Sequence, residues 1–182
     1  MKPWLLGIGV GKSGSHSLAT ALERLGVRTC HVGHATHHGD RSVQDAITAN
    51  AAAGRPILDG IDGYEALVDW PVNEHWYAIS TQYPEARFIL TYRSPHECAL
   101  SWCRMVYEQQ TSPEGAPGGY SEYVHYVEDH VDAVFKVFAA QPGRLLALDM
   151  KDSDAKKWAV LSRFLGRPAP EGMPYPMEFA HE

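Results

Sequence analysis

The chain alternates short apolar runs with longer amphipathic stretches. An apolar run at residues 4–10 feeds into Gly7-Ile-Gly-Val-Gly-Lys-Ser-Gly-Ser-His-Ser-Leu18. Beyond it Leu18, Leu22 and Leu25 recur at spacings of four and three until Gly26, which predicts a first helix. Residues 27–32 read as a second strand. Ser42 is the expected cap of a helix over 43–53 that Gly54 ends. A brief extended segment is expected at 56–59 and a short helix at 64–68. Asp69-Trp-Pro71 breaks that helix, because proline disfavours helix in the residue before it. Asn73 is the expected cap of the next helix, with Trp76, Ile79 and Tyr83 on one face. Residues 87–92, Arg-Phe-Ile-Leu-Thr-Tyr, form the strongest strand signal in the chain. Ser94 and Pro95 then suit the cap and first position of a helix with Ala99, Trp102, Cys103 and Val106 on its apolar face. Residues 111–119, with two prolines and three glycines, predict a loop. A long helical pattern follows at 120–140, then a strand at 144–148 ending on Asp149, then a last helix at 156–165 closed by Gly166. The tail, 167–182, holds four prolines and reads as irregular.

Strands that alternate with helices, without an internal repeat, predict an α/β domain with a largely parallel sheet covered on both faces. A length of 182 residues makes this one domain, 1–182. Ligands of such sheets bind beyond the carboxyl ends of the strands. Three features fall there: the Lys12 loop, the histidine-rich segment after the second strand, and Arg93-Ser94.

Composition acts mainly by exclusion. The net charge of −6 argues against a nucleic-acid binder, while a local basic pocket can still hold one small anion. No apolar stretch approaches the ~20 residues needed to span a bilayer. The glycine-interrupted amino terminus does not read as a signal peptide. The three cysteines, Cys30, Cys98 and Cys103, form no disulfide framework, so a reducing cytoplasm is the expected location.

The opening loop has the parts of an anion site. Strand, glycine turn and helix N-terminus bring amides and a helix dipole to one point, and glycine lets a phosphate approach the backbone. Lys12 adds a full charge, and Ser13, Ser15 and Ser17 add hydroxyls. A glycine turn alone is weak evidence, so the lysine and hydroxyls carry the reading.

Two separated motifs resemble those of the P-loop sulfotransferases. Lys12-Ser-Gly-Ser-His-Ser17 is similar to their 5′-phosphosulfate loop. Arg93-Ser-Pro-His-Glu-Cys-Ala-Leu-Ser101 is similar to their 3′-phosphate motif, an arginine ending a strand and a serine eight residues on. Asp59-Gly-Ile-Asp62, Asp69-Trp-Pro71 and residues 83–93 look like the connecting region of the same group, and 145–170 like its closing strand, helix and proline turn. The resemblance implies a P-loop NTPase-like three-layer α/β/α fold with a central, mostly parallel sheet. It implies transfer of a sulfuryl group from 3′-phosphoadenosine 5′-phosphosulfate (PAPS) to a hydroxyl or amine of a small-molecule acceptor, releasing adenosine 3′,5′-bisphosphate. Gly11, Lys12, Ser13, Gly14, Ser15, His16 and Ser17 would hold the 5′ end, and Arg93 with Ser101 the 3′-phosphate. Lys12 would also neutralise the departing oxygen. The acceptor's proton needs a base. His34 is the first candidate, with His31 and Asp59 next. Some family members carry a tryptophan that stacks on adenine where Ser17 stands. A partner chain, as in a homo-oligomer, or the 111–119 loop is the candidate to complete the donor site.

Three rival readings remain open at this level. Gly11-Lys12-Ser13 and the apolar strand ending at Asp149 suggest a small P-loop kinase using ATP and magnesium, although the Walker spacing would put its leading glycine at Leu6. Cys30, His31, His34, His37 and His38 form a candidate zinc cluster. The third is a non-catalytic nucleotide-binding relative.

Overall fold

The computed structural model describes residues 4–32, 39–109 and 118–177. Five strands and six helices are found among them: β1 (Leu5–Gly7), α1 (Ser15–Arg24), β2 (Thr29–His31), α2 (Arg41–Ala52), β3 (Ala66–Val68), α3 (Trp76–Gln82), β4 (Arg87–Tyr92), α4 (Pro95–Gln109), α5 (Tyr120–Phe138), β5 (Leu145–Asp149) and α6 (Asp154–Leu165). The strands form one sheet in the order β2-β3-β1-β4-β5, with every neighbouring pair parallel. This is the three-layer α/β/α arrangement, with its parallel sheet, that the sequence led us to expect.

Strand alternation divides the core. Leu6, Ile8, Leu67, Phe88 and Leu90 face a layer that includes Val43 and Ile47 of α2, Ile79 of α3 and Val134 and Phe138 of α5. Leu5, Ala66, Val68 and Ile89 face the opposite way, onto Leu18 and Leu22 of α1 and Trp158 and Leu161 of α6. Leu5, Leu6 and Ile8 are fully buried, and each such side chain contributes about 1.5–3 kcal/mol. A third cluster, Val10, Cys98, Ala99, Tyr123, Val124 and Val127, packs α4 and α5 over the end of β1.

Local signals placed most elements, and pairing decided the rest. Residues 64–68 are not the short helix expected: Ala66–Val68 is β3, hydrogen-bonded between β1 and β2. A buried central strand shows no alternation of polar and apolar residues, so a run this short is ambiguous until its partners are known. Residues 56–59 form a turn rather than an extended segment. Asn50 Nδ2 donates to the carbonyls of Ile57 and Asp59, and the Ile57 amide donates to Gln82 Oε1. Asp40 rather than Ser42 caps α2, accepting from both the amide and the hydroxyl of Ser42. The N-cap position of α3 belongs to His75, not Asn73. The expected loop at 111–119 falls largely outside the described residues, as does the end of the tail.

Candidate active site

The loop between β1 and α1 is held from three sides. Toward β4, Ser13 Oγ donates to the Val10 carbonyl (2.6 Å) and lies 3.0 Å from Thr91 Oγ1. The Ser13 amide also donates to Val10. Its hydroxyl therefore closes the turn and fastens it to β4. Toward α5, Tyr123 Oη donates to the Gly11 carbonyl at 2.7 Å, and the Tyr123 ring is stacked on Trp102 at 4.7 Å. Toward α4, Cys98 Sγ donates to the Lys12 carbonyl at 3.7 Å. Carbonyl and amide oppose each other across a planar trans peptide. Anchoring the Gly11 carbonyl on Tyr123 thus turns the Lys12 amide away from α5. The first intrahelical bond of α1 runs from Leu18 to Gly14, so the amides of the turn before it lie outside the helical ladder. No acidic residue occupies the first turn of α1. Gly14 itself takes φ 106°, which a side chain adopts only with strain.

Lys12 is half-buried and has φ 64°, in the left-handed region. Burial pushes its ammonium below the ordinary range, Asp69 pulls it back up, Arg93 presses it down again, and Glu108 opposes that. Arg93 follows β4 directly. Its Nη2 reaches the Glu97 carbonyl at 3.5 Å, while its Nε is buried without a hydrogen-bond partner. A buried donor of a permanent cation left unpaired is costly. Ser101 lies one turn beyond Glu97 on the same face of α4.

On the other side of the loop stands Asp69, immediately after β3 and also left-handed at φ 78°. Each such L-residue conformation costs roughly 1–2 kcal/mol. Such strain collects at functional sites. Asp69 Oδ2 accepts from Ser15 Oγ (2.8 Å) and pairs with His31 Nε2 (3.0 Å), and Oδ1 accepts from the Trp70 amide. Burial alone would raise its carboxyl pKa. The bond from His31, the charge on His31, and the bonds from Ser15 and Trp70 outweigh burial and hold it at about 2. His31 is fully buried and stacked on His16 at 3.7 Å. From α5, buried His130 donates Nε2–H to the Ile8 carbonyl at 2.8 Å, and burial keeps this imidazole's pKa low.

The depressed Asp69 pKa has a stability consequence. The ordinary value is 3.8, so the stabilisation is fully present above about pH 4 and is lost as pH falls toward 2. The difference corresponds to about 2 kcal/mol. Urea midpoints measured against pH should show this loss in the wild type, and Asp69→Asn should lack that part of the acid limb.

The sequence-derived candidates therefore divide. Lys12, Ser13, Ser15, His31 and Arg93 converge at the carboxyl ends of β1, β2 and β4, beside Asp69 at the end of β3. Ser17 is buried in the first turn of α1. Asp59 is exposed on the connection between α2 and β3. His34, His37 and His38 lie outside the described residues. Cys30 and His31 face opposite sides of the sheet: the thiol sits in the core with α2, its pKa pushed to about 11 by burial. No group of three or more potential ligands for a metal occurs among the described residues. Asp149 ends β5, which is separated from β1 by β4, so the acid next to the loop is Asp69 instead. Sequence reasoning noted Asp69 as part of a helix-breaking tripeptide and of the region resembling the family's connecting segment, and gave it no role in the site. The available signal was an apolar triplet ending in an acid, the same pattern noticed at Asp149. Tyr123 and His130 fall in the long helical pattern at 120–140, and nothing local distinguished them.

A half-buried lysine in a glycine turn and an arginine with a buried Nε thus share the carboxyl end of a parallel α/β sheet. The model of the sulfotransferase domain family matches residues 5–123, and the chain belongs to that family. Among solved structures it is similar to the crystal structure of a sulfotransferase from Alicyclobacillus acidocaldarius, with a TM-score of 0.57 and 16% identity over 100% of this chain and 87% of that one. At this identity the likeness carries the fold. No curated protein matches the chain significantly. No helix among the described residues is long and apolar enough to cross a membrane.

Proposed function

We propose that the protein transfers the sulfuryl group of PAPS to a hydroxyl or amine of a small-molecule acceptor. The observation that carries this reading is the buried, unpartnered Nε of Arg93 across the site from half-buried Lys12. Two separate cations at the ends of β1 and β4 suit a donor with an anion at each end of its adenosine. When bound, the donor supplies an activated sulfuryl group: its bond to the bridging phosphosulfate oxygen breaks as sulfur bonds to the acceptor atom, and adenosine 3′,5′-bisphosphate leaves with the electron pair. Gly11, Lys12, Gly14, Ser15, His16 and Ser17 line the end of the loop that would hold the 5′ group. Ser13 supports them by fastening the turn to Thr91. Lys12 places an ammonium where negative charge grows on the leaving oxygen. Arg93 offers the 3′-phosphate a fork of donors, and Ser101 adds a hydroxyl. The acceptor's proton passes to a base, with His34 first, His31 second and Asp59 third among the candidates.

Thermal shift with adenosine 3′,5′-bisphosphate, set against ATP plus magnesium, tests the donor class. Stabilisation by the bisphosphate is expected. Stabilisation by ATP plus magnesium alone would replace this reading with the kinase one. Arg93→Ala should weaken the bisphosphate Kd about 50-fold, the size of a lost charge-assisted contact, with little change in Tm. Calorimetric titration of the folded variant checks it, and an unchanged Kd removes Arg93 from the donor site.

A further inference from the structure

The turn that carries Lys12 has two successive carbonyls held by the α4–α5 pair. Tyr123 Oη on α5 donates to the Gly11 carbonyl at 2.7 Å, and Cys98 Sγ on α4 donates to the Lys12 carbonyl at 3.7 Å. The φ and ψ of Lys12 are the two rotations between those planar peptides. Holding both planes therefore holds the Lys12 backbone, which stands at φ 64°. A left-handed residue with a side chain persists only where its surroundings over-determine it.

The Tyr123 grip is itself secured. The phenol is 1% exposed, and burial raises its pKa, so it keeps the proton it donates. Its ring is stacked on Trp102 at 4.7 Å, with 15° between the planes. Trp102 follows Ser101 on α4, the helix that starts just after Arg93. One turn earlier on α5, Tyr120 Oη lies 2.8 Å from His96 Nδ1, a second tie between the same two helices. Gly11 is what admits the phenol: a Cβ there would sit 3.1 Å from Tyr123 Oη.

We propose that Tyr123 is a positioning residue for Lys12, braced by Trp102: its phenol sets the Gly11–Lys12 peptide so that the Lys12 amide and ammonium both serve the donor's 5′ group. The inference rests on the proposed role of Lys12 at that group. Without the hydroxyl the Gly11–Lys12 peptide is free to turn, because glycine opposes few backbone rotations. Lys12 then relaxes out of the left-handed region. The 5′ group loses an amide donor, and the leaving oxygen loses a well-aimed charge. Arg93 and Ser101 keep their places, since neither depends on that peptide.

Tyr123→Phe in the full chain tests this by probing the two ends of the donor separately. In calorimetric titrations adenosine 5′-monophosphate should bind about tenfold more weakly, and adenosine 3′-monophosphate as before. A merely structural role would weaken both or neither. The kcat for sulfuryl transfer should fall about tenfold. It should fall no further when Tyr123→Phe is added to Lys12→Ala, because a residue that acts through another is not additive with it. Trp102→Leu should weaken 5′-monophosphate binding by a smaller factor and add nothing to Tyr123→Phe. If Tyr123→Phe does not fold, Trp102→Leu, which leaves the phenol in place without its brace, serves for the same comparison. Equal losses at the two ends, or no loss at the 5′ end, in a folded variant overturn the proposal. A 5′-selective loss in a protein that transfers no sulfuryl group overturns the sulfotransferase reading and leaves the Tyr123 assignment standing.

Discussion

Replacing Lys12 by alanine is expected to lower kcat for sulfuryl transfer by about 10³-fold, some 4 kcal/mol of transition-state stabilisation. Binding of adenosine 3′,5′-bisphosphate should weaken by no more than about tenfold, because loop amides and Arg93 still hold the two ends. A loss confined to kcat identifies an interaction made chiefly in the transition state. Lysine at φ 64° also strains the backbone. Lys12→Gly should therefore gain about 1 kcal/mol of stability while losing the same activity. That pairing, a higher urea midpoint with lower turnover, separates a functional lysine from a structural one. Full turnover in Lys12→Ala would remove the proposed mechanism.

Gly9→Ala should destabilise the fold by at least about 3 kcal/mol. A Cβ at Gly9 would sit 2.6 Å from the Thr91 carbonyl oxygen, and closer still to Thr91 Oγ1. The side chain could rotate, but the carbonyl is part of β4 and cannot. Relief would require β1 and β4 to separate, breaking the Ser13–Thr91 contact that fastens the loop. Gly11→Ala is the control. Its Cβ would meet Tyr123 Oη at 3.1 Å and the Trp102 ring at 3.6 Å, both side chains able to give. It should cost about 1 kcal/mol or less. Equilibrium urea unfolding of the two variants checks the contrast, and equal stabilities would mean that the loop does not pack against β4 as described.

Much of the architecture was legible in the sequence because its signals are local. Leu18, Leu22 and Leu25 set the buried face of α1, and β4 has a β-prone apolar centre in Phe88, Ile89 and Leu90. Gly166 ends α6 with φ 69°, as a glycine stop should. Elements whose identity depends on partners were not legible. Ala66–Val68 is three residues long and became a strand because β1 and β2 lie on either side of it. That one pairing also carried Asp69 to the loop, so misreading the element concealed the residue.

The sequence by itself determined the chemistry present and its order along the chain: a lysine and hydroxyls in a glycine turn, and an arginine and serine eight residues apart. Those features are contiguous, and physical constraints on turns and helix termini make them readable. Only the tertiary structure decided which groups meet. It turned the Ser13 hydroxyl into a fastener to Thr91 and gave the Ser15 hydroxyl to Asp69. It buried His31 behind that carboxylate and left Arg93 Nε unpartnered inside the protein. Each outcome depends on distance between residues from different strands, and in a parallel sheet such neighbours are joined only through long crossovers. Spacing along the chain therefore carries no record of them.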